Sequence, residues 1–212
     1  KNEQINGFRN FDYIVYSGKI FIPFFISEKI GLINQKANIA EIFVNGESNG
    51  LFVEVNKIDE NFLRRNSLMP VNIYKGENHA AEKRIGLNDN LFNNPNLWSK
   101  LAIFNQKDKN DNSDLEKFLS VLNKNQLKTE SLVQNFIDVN YFSNFEAFLT
   151  LTQNLHHDWF HNLRLISDPW NGKITQLITD PNIDNKIHNY NFLCILLSIR
   201  SEEHTSELQS RS

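Results

Sequence analysis

The chain has 212 residues, 40% hydrophobic and 22% charged, a composition that suits one domain with a core of its own. A formal net charge of −3 gives no electrostatic ground for a nucleic-acid partner or an anionic membrane. Cys194 is the single cysteine, which excludes an internal disulfide and a cysteine-built metal cluster, and no apolar run, Phe192–Ile199 included, is long enough to span a bilayer.

In chain order, Asn10–Ser17 reads as a helix leading into an apolar run, Lys19–Ile26, that crosses Pro23. Ile39–Val44 and Leu51–Val55 read as strands around Asn45-Gly46 and Asn49-Gly50, the strongest hairpin signal in the chain. Asp59 is placed to cap a short helix through Glu60, Phe62 and Leu63. Val71–Tyr74 is a short strand with Lys75 directly after it. Residues 88–112 are rich in Asn, Asp and Lys, yet Leu91, Phe92, Leu97, Trp98, Leu101 and Phe104 are spaced for an amphipathic face, which predicts a loop and a helix. The segment DKNDNSD, Asp108–Asp114, reads as a solvated linker, since it lacks the Gly and terminal Glu of a calcium loop. Ser113 then opens a helix with Leu115, Phe118, Leu119 and Leu122 on one face and Glu116 in capping-box position. Asp138 caps a core helix that carries Tyr141, Phe142, Phe145, Phe148, Leu149 and Leu151.

The chemistry concentrates in Asn154–Asp184, NLHHDWFHNLRLISDPWNGKITQLITDPNID. Asn162–Ser167 and Lys173–Thr179 alternate as strands, and DPWNG between them supplies a proline and an Asn-Gly pair for the turn. Antiparallel pairing across that turn returns Asp180 to the neighbourhood of Asp158 and Asn162. Two carboxylates and an amide, with no thiolate near, suit Mg²⁺ or Mn²⁺ shared with substrate phosphates. His156, His157 and His161 offer the alternative of a transition-metal site and a metal-dependent hydrolase.

FVNGESNGLFVEVNKIDENFLRR (Phe43–Arg65), NIYKGE (Asn72–Glu77) and DWFHNLRLISDPWNGK followed by an apolar strand ending in Asp180 together resemble the CotH kinase family, named for a spore-coat protein. The resemblance runs from about Phe11 to Asp184. It implies an α+β fold, an atypical protein-kinase-like domain, truncated here at both ends. It further implies ATP- and Mg²⁺- (or Mn²⁺-) dependent transfer of a phosphoryl group to Ser or Thr of a protein substrate. By the same resemblance Asp158 is the catalytic residue, Asn162 and Asp180 are the metal ligands, and Lys75 binds the phosphates of the nucleotide. The acidic partner of Lys75 stays open among Glu54, Glu77 and Glu82. Thr179 stands where the family has Trp and Asn182 where it has a second Asp, which favours the alternative of a non-catalytic kinase-like coat or surface binding protein. The resemblance places the protein in a bacterial spore coat, at the cell surface or in the secreted fraction. The chain opens at Lys1 without Met or a signal segment, and RSEEHTSELQSRS (Arg200–Ser212) resembles a translated sequencing adapter. The expected domain is therefore residues 1–199, with 200–212 a non-native tail.

Overall fold

In the computed structural model, which describes residues 10–68, 71–78, 91–101, 109–123, 135–154 and 161–183, the first element is a strand. β1 (Phe11–Val15) pairs antiparallel with β3 (Glu47–Asn56), placing Ile14 opposite Val53 and Tyr13 opposite Glu54. This corrects the helix expected at Asn10–Ser17: the five residues FDYIV have β-formers at most positions, and pairing with β3 satisfies their backbone. The helix lies later, in α1 (Gly18–Lys29), capped by the Ser17 hydroxyl, which accepts from Lys19 N–H.

Pro23 sits inside α1. A proline in a helix cannot donate to the carbonyl four residues back, here that of Lys19. That carbonyl accepts instead from the Ile183 backbone N–H at 2.9 Å, so a distant segment takes up the vacated acceptor.

β2 (Ala37–Val44) and β3 form the predicted hairpin and complete a three-stranded sheet in the order β1-β3-β2. Only Asn45-Gly46 makes the turn, with φ of 54° and 88°. The second Asn-Gly pair lies within β3, where the register slips between Glu41 and Phe43 and Gly50 takes φ 94°, a bulge that glycine accommodates without strain. α1 packs on the face bearing Val53 and Val55, with Phe24 buried against them.

α2 (Glu60–Arg65) is capped as expected, Asp59 Oδ1 accepting from Asn61 N at 2.9 Å and Phe62 N at 3.1 Å. β4 (Asn72–Gly76) extends past the predicted strand, so Lys75 lies within it rather than beyond it. A 3-10 turn at Pro95–Leu97 leads into β5 (Trp98–Leu101), which replaces the expected helix. Leu91, Phe92 and Trp98 are buried and Leu97 and Leu101 half-buried, but β5 pairs along β4, and Phe104 lies outside the described residues. Gly76 makes the close approach that this pairing needs, since a Cβ there would lie 2.9 Å from Leu91 and 3.0 Å from the Trp98 ring.

α3 (Ser113–Asn123) buries Leu115, Phe118, Leu119 and Leu122 as its spacing predicts. Its start differs from the expected capping box: Asp111 Oδ1 accepts from Ser113 N at 3.0 Å, one turn before the first buried residue. Asp114, read from sequence as part of a solvated linker, accepts hydrogen bonds from Tyr74 Oη and from Asn72 Nδ2, and ties α3 to β4. α4 (Val139–Thr152) is capped by Asp138, whose Oδ1 accepts from Tyr141 N at 3.1 Å, and buries Phe142, Phe145, Phe148 and Leu149. Leu151 is exposed, against expectation.

β6 (Leu163–Asp168) and β7 (Lys173–Gln176) are the predicted hairpin, closed by Gly172 N donating to Asp168 O at 2.9 Å. They complete a second antiparallel sheet, order β5-β4-β6-β7. One face, with Tyr74, Leu163, Leu165 and Ile174, packs on α3 and α4 in the main core. The other, with Ile73 and Ile166, packs on Phe62 and Leu63 of α2. The second sheet is thus covered on both sides, which is why Ile166 breaks the simple alternation of its strand.

Candidate active site

The two sheets meet at a cleft of about 340 Å³, lined by Asp12, Gln35, Lys57 and Ile58 from the first half of the chain and by Asn162, Arg164, Thr179 and Asp180 from the second. Asn162 immediately precedes β6, and Asp180 follows the last residues of the β7 strand line. The hairpin therefore brings them together at one end of the sheet, as the antiparallel reading predicts. Both adopt left-handed backbone, with φ of 58° at Asn162 and 47° at Asp180. Asn and Asp tolerate that region better than other residues with a Cβ, and such conformations cluster where function holds them in place.

The Asp180 segment is fixed from both flanks. Ile178 N donates to Ile33 O and Ile183 N to Lys19 O, each at 2.9 Å, so the chain runs past α1 while presenting Asp180 to the cleft. Tyr141 Oη supports this seam, donating to the Gln176 carbonyl at 2.5 Å and accepting from Ile33 N at 3.1 Å. Burial pushes the Tyr141 phenol above its ordinary pKa, so it remains a donor.

The alternation of Asn162–Ser167 does not by itself mark Arg164 as a functional residue. A cation within LRLIS, whose neighbours are otherwise apolar or small, is the signal that could have marked it. Its side chain lines the cleft and is largely buried, and neither Nε nor Nη1 has a hydrogen-bond partner. Burial lowers the guanidinium pKa from its ordinary value, and the charges of Glu77 and Asp180 oppose that shift.

Lys75 is the cross-strand partner of Arg164, so both project from the same face of the sheet. Its Nζ lies 3.7 Å from Glu77 Oε2, which selects Glu77 over Glu54 as the nearby acid; Glu54 accepts from Tyr13 Oη and Asn38 Nδ2, and Glu82 lies outside the described residues. Lys75 is not among the residues lining the cleft. On the opposite wall Lys57 and Asp12 pair at 3.1 Å, both about half exposed, a contact that contributes little to stability.

Asp158, His156 and His157 lie outside the described residues, as do Asp184 and the segment 200–212. Among the described residues no group of three or more His, Cys, Asp or Glu could form a metal cage, and no helix is long and apolar enough to cross a membrane. The oxygen donors that are present, Asn162 and Asp180 in one cleft, fit a hard divalent ion completed by water and substrate oxygens. Two residues beyond Asp180, the Oδ1 of Asn182 is buried without a hydrogen-bond partner, a further oxygen beside this position.

The description CotH kinase protein matches residues 24–209, most of the chain. The chain belongs to the CotH kinase family. No curated protein matches it. Family membership supports kinase-like function, and the matched residues include β2 to β7, α2 to α4, α1 from Phe24 onward, and the cleft except for Asp12. It also brings the CotH expectation of a nucleotide and a divalent cation to a cleft whose walls carry Lys57, Arg164, Asn162 and Asp180.

Proposed function

We propose that the protein is an ATP- and Mg²⁺-dependent protein kinase of the CotH type, with a kinase-like domain within residues 1–199, that phosphorylates Ser or Thr of a protein substrate. The observation that carries this reading is the convergence of Asn162 and Asp180, from opposite ends of one hairpin, on a single cleft in a CotH-family chain. In this reading Asn162 and Asp180 hold the cation against the nucleotide phosphates, and Mn²⁺ can replace Mg²⁺. A cation held there would supply charge neutralisation for the phosphates of the nucleotide. Asp158 accepts the proton of the acceptor hydroxyl as its oxygen bonds to the γ-phosphorus and ADP leaves. Lys75, beside Arg164 on the sheet but not lining the cleft, offsets phosphate charge at longer range, with Glu77 as its acidic neighbour. Positioning and electrostatics supply most of the rate.

A second reading, a non-catalytic coat or surface protein that binds through the same fold, is favoured by Thr179, which is buried where the family has Trp. Calorimetry with ATP, with and without Mg²⁺, followed by radiolabelled phosphoryl transfer to a mixed Ser/Thr protein acceptor separates the two. Mg²⁺-dependent binding that Asp180→Asn abolishes, with transfer that Asp158→Asn abolishes, supports the kinase. Binding without transfer supports the second reading, and no binding by the folded protein defeats the first.

A further inference from the structure

We infer that Arg164 is the principal anion-binding residue of the cleft and grips the polyphosphate of the substrate beside the metal ligands, on the same wall as Asn162; this rests on the nucleotide reading above. The argument starts from what a buried arginine normally does. A guanidinium has five N–H donors and is always charged, and removing it from water is unfavourable unless those donors find acceptors. A structural arginine inside a protein therefore spends its donors on neighbouring carbonyls or carboxylates. Arg164 leaves two of its three guanidinium nitrogens, Nε and Nη1, sealed from solvent with no acceptor.

Its position says where an acceptor would come from. Arg164 stands two residues after Asn162 and lines the same cleft as Asn162 and Asp180. Glu77 and Asp180 are close enough to act on its charge electrostatically, yet neither satisfies Nε or Nη1. A guanidinium presents parallel N–H pairs that match two oxygens of a phosphate, a geometry an ammonium cannot offer. Turning the side chain by one rotamer toward the space it already lines would deliver Nε and Nη1 onto an oxyanion there. The other cation of the cleft, Lys57, is already paired with Asp12, and Lys75 does not line the cleft. A polyphosphate would then be held by the guanidinium next to the oxygen donors Asn162 and Asp180.

The test uses inorganic tripolyphosphate without metal, so that it does not depend on Asn162, Asp180 or phosphoryl transfer. Calorimetry and thermal melts are run on the full chain and on Arg164→Met, Arg164→Lys and Lys117→Met, the last removing an exposed charge on α3 away from the cleft. The expected result is that Arg164→Met weakens binding by about tenfold to a hundredfold, Arg164→Lys by less, and Lys117→Met not at all. Arg164→Met is also expected to melt at or above the temperature of the unaltered chain, because a buried charge with unused donors is replaced by an apolar side chain of similar length. A merely structural arginine would show the reverse: a lower melting temperature and unchanged affinity. That outcome, or absence of tripolyphosphate binding by the unaltered chain, overturns the inference. Should Arg164→Met not fold, Arg164→Lys decides, since unchanged affinity with lysine excludes a paired N–H grip. Mg²⁺-ATP binding that needs Asp180 but ignores Arg164→Met would sink this inference alone. Arg164-dependent tripolyphosphate binding without phosphoryl transfer would sink only the kinase reading.

Discussion

Asp180 carries two separable properties, a charge and a left-handed backbone, and substitutions can remove one without the other. Asparagine tolerates φ near 47° almost as well as aspartate, so Asp180→Asn should change stability by less than about 0.5 kcal/mol while removing Mg²⁺-dependent nucleotide binding. Asp180→Ala should lose the same binding and a further 1 to 2 kcal/mol or so, the cost of forcing a Cβ residue without a compensating polar side chain into the left-handed region. Denaturant melts alongside calorimetry read the difference. Asp114 poses the opposite case, a carboxylate whose role is structural. Burial pushes its carboxyl up, and hydrogen bonds from Ser167, Tyr74 and Asn72 together outweigh that and leave it below the ordinary value. A depressed native pKa contributes stability that is complete above the unfolded value of about 4 and is lost as pH falls from there through the native value. Asp114→Asn should therefore destabilise the protein by about 1 to 3 kcal/mol at neutral pH and flatten the acid limb of a stability-versus-pH profile. The identity of Asp180 and Asn162 as a pair was legible in the sequence, because a hairpin of known register fixes which ends meet. Asp114 and Arg164 were not. Asp114 reads as part of a solvated linker and Arg164 only as a member of an alternating strand, and only the packing of α3 against β4, or of the two sheets around the cleft, gives each a partner or withholds one.

The same division holds for the elements. α2, α3, α4, the β2–β3 hairpin and the β6–β7 hairpin follow from caps, 3.6-residue spacing and Asn-Gly or Pro-Trp-Asn-Gly turns, all local signals. β1 and β5 carry no local signal of this kind because what stabilises them is distant: β1 exists as a strand through β3, and β5 through β4. α1 was hidden by Pro23, whose cost of about 3 kcal/mol in a helix interior argues against a helix until the Ile183 amide is seen to use the freed Lys19 carbonyl. Pro23→Ala should restore an N–H that competes for that carbonyl. Hydrogen exchange would then slow at residues 23 to 26 of α1 and quicken at Ile183, the amide displaced.

At the scale of the molecule, the second sheet is a filled sandwich and the first is a thinner layer on α1, so the cleft has one rigid wall and one lighter one. Asn162 belongs to the rigid wall through β6, whereas the backbone on either side of Asp180 is bonded to α1 and the turn after it. A cation shared by Asn162 and Asp180 would therefore join those two parts, and by linkage its binding must strengthen their docking by the amount that docking strengthens it. Saturating Mg²⁺ with nucleotide should slow amide exchange at Ile178 and Ile183, and Asp180→Asn should remove the effect. Pro23 sets how cleanly this coupling works. Because an imino acid can never reclaim the Lys19 carbonyl, the segment after Asp180 meets no rival at its mooring, and a single residue in the first helix keeps a latch open for a carboxylate near the far end of the chain.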